Sequence, residues 1–234
     1  EGHTLCLVSY TEDENPDIES AKELYDSVYT IKFNKLRAYW NTLRNLFLGK
    51  PLQCGYYTSR KYEKGLKKAV KKEKPDMFLA HLLRMTPYLS KLKVEDRSIV
   101  EMTDALSKTY MTSEDAQCNA HMRFIYKIER SRIKQYEAEV VARFPRIVLV
   151  SQQDIQYLKT FCHKGISSLQ YHTNGVDCKE YPTKPYNPKK ICFIGNMRTL
   201  QNQDAVLRFI QDVFPLIHIC IHLGYGAALR NPQP

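Results

Sequence analysis

The sequence has no run of about 18 consecutive apolar residues, which is the length that a transmembrane helix needs. It has no secretory signal peptide pattern either, since Glu1-Gly2-His3 leads at once into the apolar run Leu5–Val8. Its seven cysteines are scattered, show no C-x-x-C spacing, and in several cases lie inside apolar runs. We therefore predict a cytoplasmic chain with reduced cysteines and without disulfides.

The sequence also lacks a Walker motif, a Ser-His-Asp arrangement and zinc-finger spacing. His218, Cys220 and His222 alternate and would share one face of a strand, where they could act as zinc ligands. Ligands two residues apart on one strand rarely complete a tetrahedron without a distant fourth ligand. We therefore predict no metal site.

Positive charge is abundant and concentrated. The net charge is +10, and residues 60–74 contain eight Lys or Arg residues against two Glu. A helix over Lys61–Lys72 is predicted to bury its apolar side chains and to direct its lysines outward. Such a surface attracts nucleic acid, an anionic bilayer or a phosphorylated substrate, although a merely solvated helix face has the same pattern. Dense interleaving of aromatics, typical of platforms for single-stranded nucleic acid, is missing.

Apolar runs of strand length alternate with helical patterns along most of the chain. Most runs are continuous, which is typical of strands buried on both faces of a parallel sheet. The order of elements predicts an α/β fold with a Rossmann-like, doubly wound parallel sheet and right-handed crossovers. The predicted strands are Thr4–Tyr10, Val28–Phe33, Met77–Leu82, Ser98–Met102, Arg146–Ser151, Ser168–His172 and Ile191–Ile194.

Two of the predicted helices are distinguished by their length and pattern. The helix Leu36–Leu48 ends before Gly49 and Pro51 and carries one apolar stripe. The stripe consists of Leu36, Tyr39, Trp40, Leu43, Leu46 and Phe47. The longest helix is predicted over Ala116–Arg143, and we expect its polar side chains to pair at the surface. These side chains are Glu129, Arg132, Tyr136 and Glu137.

A proline-rich joint divides the predicted fold into two domains. Pro182, Pro185 and Pro188 lie between Asp177 and Lys189 without apolar periodicity, which indicates a linker over 178–188. The predicted first domain is 1–177. The predicted second domain, 189–234, begins like a nucleotide-binding α/β domain, with a strand at Ile191–Ile194, a glycine turn and a helix.

Ligands of open parallel sheets bind beyond the carboxyl ends of the strands, and His81 and Arg84 follow such a strand. A histidine there can exchange a proton with a bound hydroxyl. Arg84 could hold a phosphate or carboxylate. A capping histidine and a surface arginine are the alternative interpretation.

Asp104 follows the next predicted strand, and Gly195-Asn196 follow the last one. The carboxylate of Asp104 could orient a sugar hydroxyl or act as a base. It could equally cap the next helix through the N–H of Leu106 or Ser107. Gly195 would allow a diphosphate to approach the backbone, although one glycine is also compatible with an ordinary turn.

Six segments resemble, in order and spacing, those of a group of bacterial glycosyltransferases. They are Pro75–Tyr88, Asp104-Ala105-Leu106-Ser107, Tyr136-Glu137, Val150-Ser151, Asn174-Gly175-Val176-Asp177 and Gly195-Asn196-Met197. Up to about Leu216 the chain is similar to the group-1, family 4-like GT-B glycosyltransferases that are associated with exopolysaccharide biosynthesis.

The resemblance implies a first Rossmann-like domain that binds the acceptor and a second that binds a nucleotide-sugar donor. It implies retaining transfer of a sugar to a polysaccharide or lipid-linked acceptor, with no metal or cofactor. By the same resemblance, His81 is catalytic, Arg84 and Asp104 bind the acceptor, and Gly195 and Asn196 bind the donor.

Lipid-linked acceptors lie at the inner face of the plasma membrane, where Lys67, Lys68, Lys71 and Lys72 would bind the anionic surface. The enzyme would then be cytoplasmic and peripheral. Nucleic acid is not an expected partner.

The sequence departs from the family at both ends. The strand, Gly-rich turn and helix with which the family begins have no counterpart, nor do the basic and acidic pairs of its donor domain. We therefore expect an inactive fragment whose first sheet lacks one strand. The alternative is a non-enzymatic α/β module, degenerate or regulatory, that binds anionic surfaces.

Overall fold

The computed structural model describes residues 2–12, 18–116, 120–175, 191–197 and 200–217. The chain divides into two compact units, Glu1–Gly175 and Val176–Pro234. The predicted linker 178–188 lies outside the described residues, and the assignment of the two units to acceptor and donor domains stays a prediction.

The first unit is an α/β structure in which every described strand runs parallel to its neighbours, which confirms the predicted fold class. The strands are divided between a two-stranded sheet, β1-β2, and a four-stranded sheet, β3-β4-β5-β6. Their bounds are β1 Cys6–Thr11, β2 Ser27–Lys32, β3 Phe78–His81, β4 Ser98–Thr103, β5 Ile147–Leu149 and β6 Leu169–Tyr171.

Helices connect successive strands, as parallel pairing requires. In the first unit they are α1 Ile18–Leu24, α2 Lys35–Phe47, α3 Leu52–Tyr56, α4 Arg60–Glu73, α5 Thr86–Leu92, α6 Leu106–Ala116, α7 Ala120–Arg143 and α8 Gln152–Lys159. In the second unit, α9 spans Leu200–Arg208 and continues into a π-helical turn, Phe209–Val213.

The core lies against one face of the four-stranded sheet. Alternate side chains of its three first strands are buried there, and α5, α7 and α8 contribute the opposing side chains. The inward strand residues are Phe78, Ala80, Val100, Met102, Ile147 and Leu149. The expectation of burial on both faces is wrong for β3, because Leu79 on the other face is 69% exposed. Only one face of this strand packs against helices of the described core.

The prediction of a strand at Ile191–Ile194 is also wrong. These residues are not in a strand, and Ile194 is 92% exposed. A strand needs a neighbour to bind its backbone N–H and C=O groups. Within the described part of the chain no strand pairs with this segment, so its apolar content alone does not make it extended.

Helix α4 buries its apolar side as predicted. Ser59 accepts hydrogen bonds from the backbone N–H of Lys61 and Tyr62 and thereby starts the helix. Tyr62 and Ala69 are buried, and the hydroxyl of Tyr62 donates to the carbonyl oxygen of Val8 at 2.8 Å. The helix is therefore fastened to the edge of β1.

The expected surface pairing on α7 is wrong, because Glu129 and Glu137 are buried. Glu129 Oε1 accepts a hydrogen bond from the backbone N–H of Leu52 at 2.6 Å, at the start of α3. Arg132 Nη2 donates to the carbonyl oxygen of Leu46 at 3.0 Å, at the end of α2. These side chains thus satisfy helix ends of the α2–α3 segment.

Candidate functional site

The predicted catalytic residue His81 lies at the carboxyl end of β3, paired in register with Glu101 of β4. His81 Nδ1 contacts Glu101 Oε2, and the hydroxyl of Thr103 donates to Glu101 Oε1 at 2.7 Å. The side chain of His81 is 69% exposed. Because the carboxylate occupies Nδ1, the second ring nitrogen, Nε2, is free to meet a ligand.

The backbone around this pair is strained. Leu82, directly after β3, has φ of 73°, and Thr103, the last residue of β4, has φ of 64°. A positive φ is unfavourable for both residue types and most of all for β-branched threonine. The backbone N–H of Leu82 binds the carbonyl oxygen of Glu101 at 2.7 Å, and that of Val150 binds the carbonyl oxygen of Thr103 at 3.1 Å. Strain held by surrounding structure in this way is concentrated at functional sites.

Glu101 is the negative charge of the site. Its partial burial favours the neutral acid, but the hydrogen bonds from Thr103 and His81 outweigh that effect and lower the pKa of Glu101 below its ordinary value. An ionised carboxylate at Nδ1 orients the imidazole so that Nε2 points away from Glu101. The pair can therefore take up or release a proton at Nε2.

Asp104 lies beside this pair, at the turn that follows β4. Burial and the nearby charge of Asp154 raise its pKa, Lys108 opposes the rise, and Glu101 adds to it. The alternative interpretation of Asp104 as a helix cap is not what the structure shows. The first N–H groups of α6 bind the carboxylates of other residues. The carboxylate of Asp104 is therefore available for a ligand.

Those other carboxylates come from α7 and α8. Asp154 Oδ2 accepts from the N–H of Ala105 at 3.4 Å, and Glu137 Oε1 accepts from the N–H of Ser107 at 3.1 Å. The Ser107 hydroxyl also donates to Glu137. Lys108 Nζ lies 2.6 Å from Asp154 Oδ1 and balances its charge. The start of α6 is thus held by two buried acids.

The predicted acceptor residue Arg84 lies on a different cluster. Its guanidinium stacks over the ring of Tyr57 at 4.2 Å. The carbonyl oxygen of Tyr57 accepts hydrogen bonds from the hydroxyls of Tyr10, at 2.9 Å, and Tyr88, at 2.6 Å. Arg84 therefore extends the site toward β1 and is not among the contacts of the His81–Glu101 pair.

The predicted donor residues Gly195 and Asn196 lie in the second unit, in a turn before α9. Asn202 Nδ2 donates to the carbonyl oxygen of Asn196 at 3.0 Å, and Gln203 Nε2 donates to that of Met197 at 2.7 Å. A Cβ atom at position 195 would lie 2.9 Å from the ring of Phe193. The turn therefore has a packing reason for glycine, and its role in donor binding stays a prediction.

The four lysines predicted to bind a membrane surface are exposed along α4. Lys67 Nζ lies 2.9 Å from Glu63 Oε1, and Lys72 Nζ lies 3.7 Å from Glu73 Oε1. Two of the four charges are therefore partly balanced. Lys68 and Lys71 form no ion pair within the described residues.

One member of the site, Glu101, was not predicted from the sequence. A signal for Glu101 was present, because it is a lone charge in the apolar run Ile99-Val100-Glu101-Met102. A charge in a buried strand requires a partner. Glu101 lies near the end of its strand, at the level of His81 in the neighbouring strand, which identifies His81 as that partner.

No group of three potential metal ligands occurs in the part of the chain that the structure describes. His218, Cys220 and His222 lie outside that part. None of the described helices has the length and apolarity needed to cross a bilayer.

The ends of β3 and β4 thus bring together an exposed imidazole, its carboxylate partner and the carboxylate of Asp104, which has no ion pair within the described residues. Comparison with models of known protein families, with curated proteins and with solved structures finds no significant match for this chain. Its function is therefore inferred from the residues and their arrangement.

Proposed function

We propose that the chain belongs to a glycosyltransferase and that its first unit binds the sugar acceptor. The enzyme transfers a sugar from a nucleotide-sugar to a polysaccharide or lipid-linked acceptor, with retention of configuration and without a metal. The observation that supports this best is the exposed imidazole of His81, oriented by Glu101 at the carboxyl edge of a parallel sheet.

The chemistry of glycosyl transfer suits these groups. One saccharide hydroxyl can donate to Nε2 of His81 and a second hydroxyl to the carboxylate of Asp104, which lies beside the pair. When protonated, His81 stabilises negative charge on a departing diphosphate, which is the main demand of such a reaction. Arg84 contributes positive charge near an anionic acceptor. Gly195 and Asn196 of the second unit bind the donor diphosphate in this proposal.

Saccharide binding can be tested by NMR on the intact chain. The ¹⁵N-labelled imidazole of His81 is observed while simple hexosides and undecaprenyl-like lipid-linked sugars are added. We expect its Nε2 signal to shift on saturable binding. Asp104→Asn should weaken binding about tenfold, because one charge-assisted hydrogen bond is lost.

His163→Gln is the control, since this histidine lies in an exposed loop after α8 and outside the described site. It should leave binding unchanged. Saccharide binding that persists unaltered in His81→Gln, measured by calorimetry because the His81 signal is then absent, would remove His81 from the acceptor site. Failure of every saccharide to shift His81 would refute the assignment of this edge to acceptor binding.

Peripheral attachment to an anionic membrane is part of the same proposal, with α4 as the electrostatic surface. Its exposed lysines attract a bilayer by about 1 kcal/mol for each charge near the surface. Vesicles containing phosphatidylglycerol should bind the chain less tightly as salt increases. Lys67, Lys68, Lys71 and Lys72 changed together to Glu should lower that affinity, and unaltered vesicle binding would disprove the role of α4.

A second candidate is a non-enzymatic α/β module that binds anionic surfaces. The density of cations on α4 favours it. Calorimetric titration with UDP- and GDP-sugars separates the candidates. Saturable heat that is lost in Asn196→Ala supports the transferase, whereas vesicle binding without any nucleotide-sugar heat supports the module.

A further inference from the structure

Helix α2 faces the protein with its small and polar side and faces solvent with its apolar side. Ala38 is buried, and Asn41, Thr42 and Asn45 are half-buried, which are four positions on one helix side. The stripe Leu36, Tyr39, Trp40, Leu43, Leu46 and Phe47 lies on the opposite side and is exposed throughout. A surface helix of a globular protein normally has the reverse arrangement, with its apolar side toward the core.

Specific contacts hold α2 in this orientation. Asn41 Nδ2 donates to the carbonyl oxygen of Thr58 at 2.7 Å, and Asn45 Nδ2 donates to that of Pro51 at 3.1 Å. Helix α3 crosses so closely at Gly55 that a Cβ atom there would lie 2.7 Å from Asn45. Arg132 Nη2 binds the last turn through Leu46. Turning the apolar side inward would break all of these contacts.

The exposed stripe has the composition of a helix that lies in a membrane interface. Leu36 is 78% exposed, Trp40 74% and Phe47 83%. Large aromatic and leucine side chains on one face, flanked by arginine, are typical of interfacial amphipathic helices. Arg37 and Arg44 are two turns apart and flank the stripe. Within the described residues neither forms an ion pair.

A cationic cavity adjoins the stripe. It has a volume of about 1200 Å³ and lies between α2 and the helices α4, α5 and α7. Seven Lys and Arg residues line it against two Glu, and Leu36 and Trp40 of the stripe form part of its wall. The cations include Arg37, Arg44, Arg60, Lys91, Arg132 and Arg143.

The cavity keeps an excess of positive charge after its internal ion pair, Lys91 with Glu63, is counted. Glu63, one of its two acids, already accepts from Lys67 at 2.9 Å and from Lys91 at 2.6 Å. Arg132 Nη1 and Glu129 Oε2 are buried without a hydrogen-bond partner among the described residues, although the two side chains interact electrostatically. A buried guanidinium nitrogen is stabilised by an anionic or strongly accepting partner. A phosphate group meets that requirement with bidentate hydrogen bonds.

We propose that α2 inserts its apolar stripe into an anionic phospholipid bilayer and that the adjoining cavity binds the lipid phosphates. The inference rests on the membrane part of the proposed function and is independent of glycosyl transfer. A second copy of the chain is the weaker occupant, because its own cations and net charge of +10 would oppose those of the cavity. Phospholipid supplies both an apolar medium and negative charge at the same boundary.

The single tryptophan of the chain makes the test direct, because Trp40 lies on the stripe. Its emission is recorded as vesicles of equal parts phosphatidylglycerol and phosphatidylcholine are added. We expect a blue shift, protection from acrylamide, and quenching by brominated acyl chains. Phosphatidylcholine vesicles alone should give a much smaller shift.

Two variants separate insertion from surface attraction. Phe47→Ser should lower the vesicle partition coefficient about 10- to 30-fold, because one large apolar side chain no longer leaves water. Leu24→Ser is the control, since Leu24 is 73% exposed on α1 and outside the stripe. It should leave partitioning unchanged. Arg37→Glu with Arg44→Glu should remove the preference for phosphatidylglycerol.

Three results would overturn the inference. Vesicle binding without a change in Trp40 emission would show that the chain is attracted to the surface through α4 and that α2 does not insert. A blue shift that grows with protein concentration in the absence of lipid would assign the stripe to a second copy. A blue shift with RNA and none with vesicles would assign it to nucleic acid.

The two proposals fail separately. His81→Gln should bind vesicles like the unaltered chain, because His81 lies outside the stripe and the cavity. Loss of saccharide binding with intact vesicle insertion therefore contradicts only the transferase. Normal saccharide binding with no insertion contradicts only the role of α2.

Discussion

Helices α2 and α4 consist of similar residues but use them in opposite ways. Both are basic and amphipathic; α2 follows strand β2 directly, whereas α4 follows the short helix α3. Helix α4 buries Tyr62 and Ala69 against β1 and β2, whereas α2 buries only Ala38. The difference teaches that an apolar stripe identifies a side of a helix but not the medium that the side faces. In α2 the inner contacts are amides and a glycine crossing, and these decide the orientation.

The largest expected effect separates the two helices by stability. Tyr62→Ala removes a buried ring and its hydrogen bond to Val8, so we expect a loss of about 3–5 kcal/mol in the free energy of unfolding. Trp40→Ala removes a ring that is 74% exposed and should change that free energy by about 0.5 kcal/mol or less. Urea unfolding followed by circular dichroism measures both. Equal losses would mean that α2 packs into the core in solution.

The next effect concerns Glu137, the buried acid of α7 that packs in the core with the four-stranded sheet. Burial raises the pKa of Glu137 to about 7, although the hydrogen bonds from Ser107 and Leu106 oppose the rise. The folded chain therefore binds a proton more tightly than the unfolded chain. The stability that this proton contributes is complete below about pH 4.5 and is lost as the pH rises through about 7.

Glu137→Gln should remove this pH dependence, because glutamine is neutral at every pH. Relative to the variant, we expect the unaltered chain to lose about 3 kcal/mol of unfolding free energy between about pH 5 and about pH 8. Glu139→Gln, an exposed change on the same helix, serves as the control and should leave the dependence in place. Parallel profiles for the chain and Glu137→Gln would show that Glu137 is ionised throughout.

Glu129 allows a test of how the α2–α3 segment is held, for comparison with α4. Glu129→Ala removes the acceptor for the N–H of Leu52 and Gln53, and such a loss costs about 1–3 kcal/mol. We expect the amides of α2 and α3 to exchange hydrogen about 10- to 100-fold faster, with α4 unchanged. Lys127→Ala, exposed on the same helix, should have no such effect. Equally faster exchange in α4 would show that the two helices do not differ in how they are held.

The smallest effect concerns the ion pairs of α4. Hydrogen bonds from Lys91 and Lys67 lower the pKa of Glu63 to about 2, against a smaller opposite effect of burial. The resulting stability is present above about pH 4.5 and is lost as the pH falls toward 2. Glu63→Gln should therefore cost at most about 1 kcal/mol near pH 7 and less near pH 3. Thermal melting at both pH values checks this, and a cost that grows toward low pH would reverse the sign.

The strands of the first unit were predictable because each coincides with a short apolar run, although the run does not show how many faces of the strand are buried. Val100 and Met102 of β4 lie where the pattern places them. The rule that ligands bind beyond the carboxyl ends of strands also led to His81, Asp104 and the edge that joins them. The failure at Ile191–Ile194 has a physical cause, since a strand depends on a partner that the local sequence does not contain.

The buried acids of α7 were not predictable from helix spacing. Glu129 binds Leu52, 77 residues away, and Glu137 binds Ser107, 30 residues away. Local pairing rules compare only residues three or four apart. Glu101 differs in this respect, because its position as a lone charge in an apolar run was a sequence signal, although its partner lies in the neighbouring strand 20 residues earlier.

Helix α7 has a consequence for how the chain tolerates changes in length. Glu129 and Glu137 are eight residues apart, so one rigid helix separates their two attachments by about 12 Å. A single residue inserted between them would rotate one carboxylate by about 100° relative to the other. Either α3 or the start of α6 would then lose its acceptor. The number of residues between Glu129 and Glu137 is therefore fixed by the two attachments that they make.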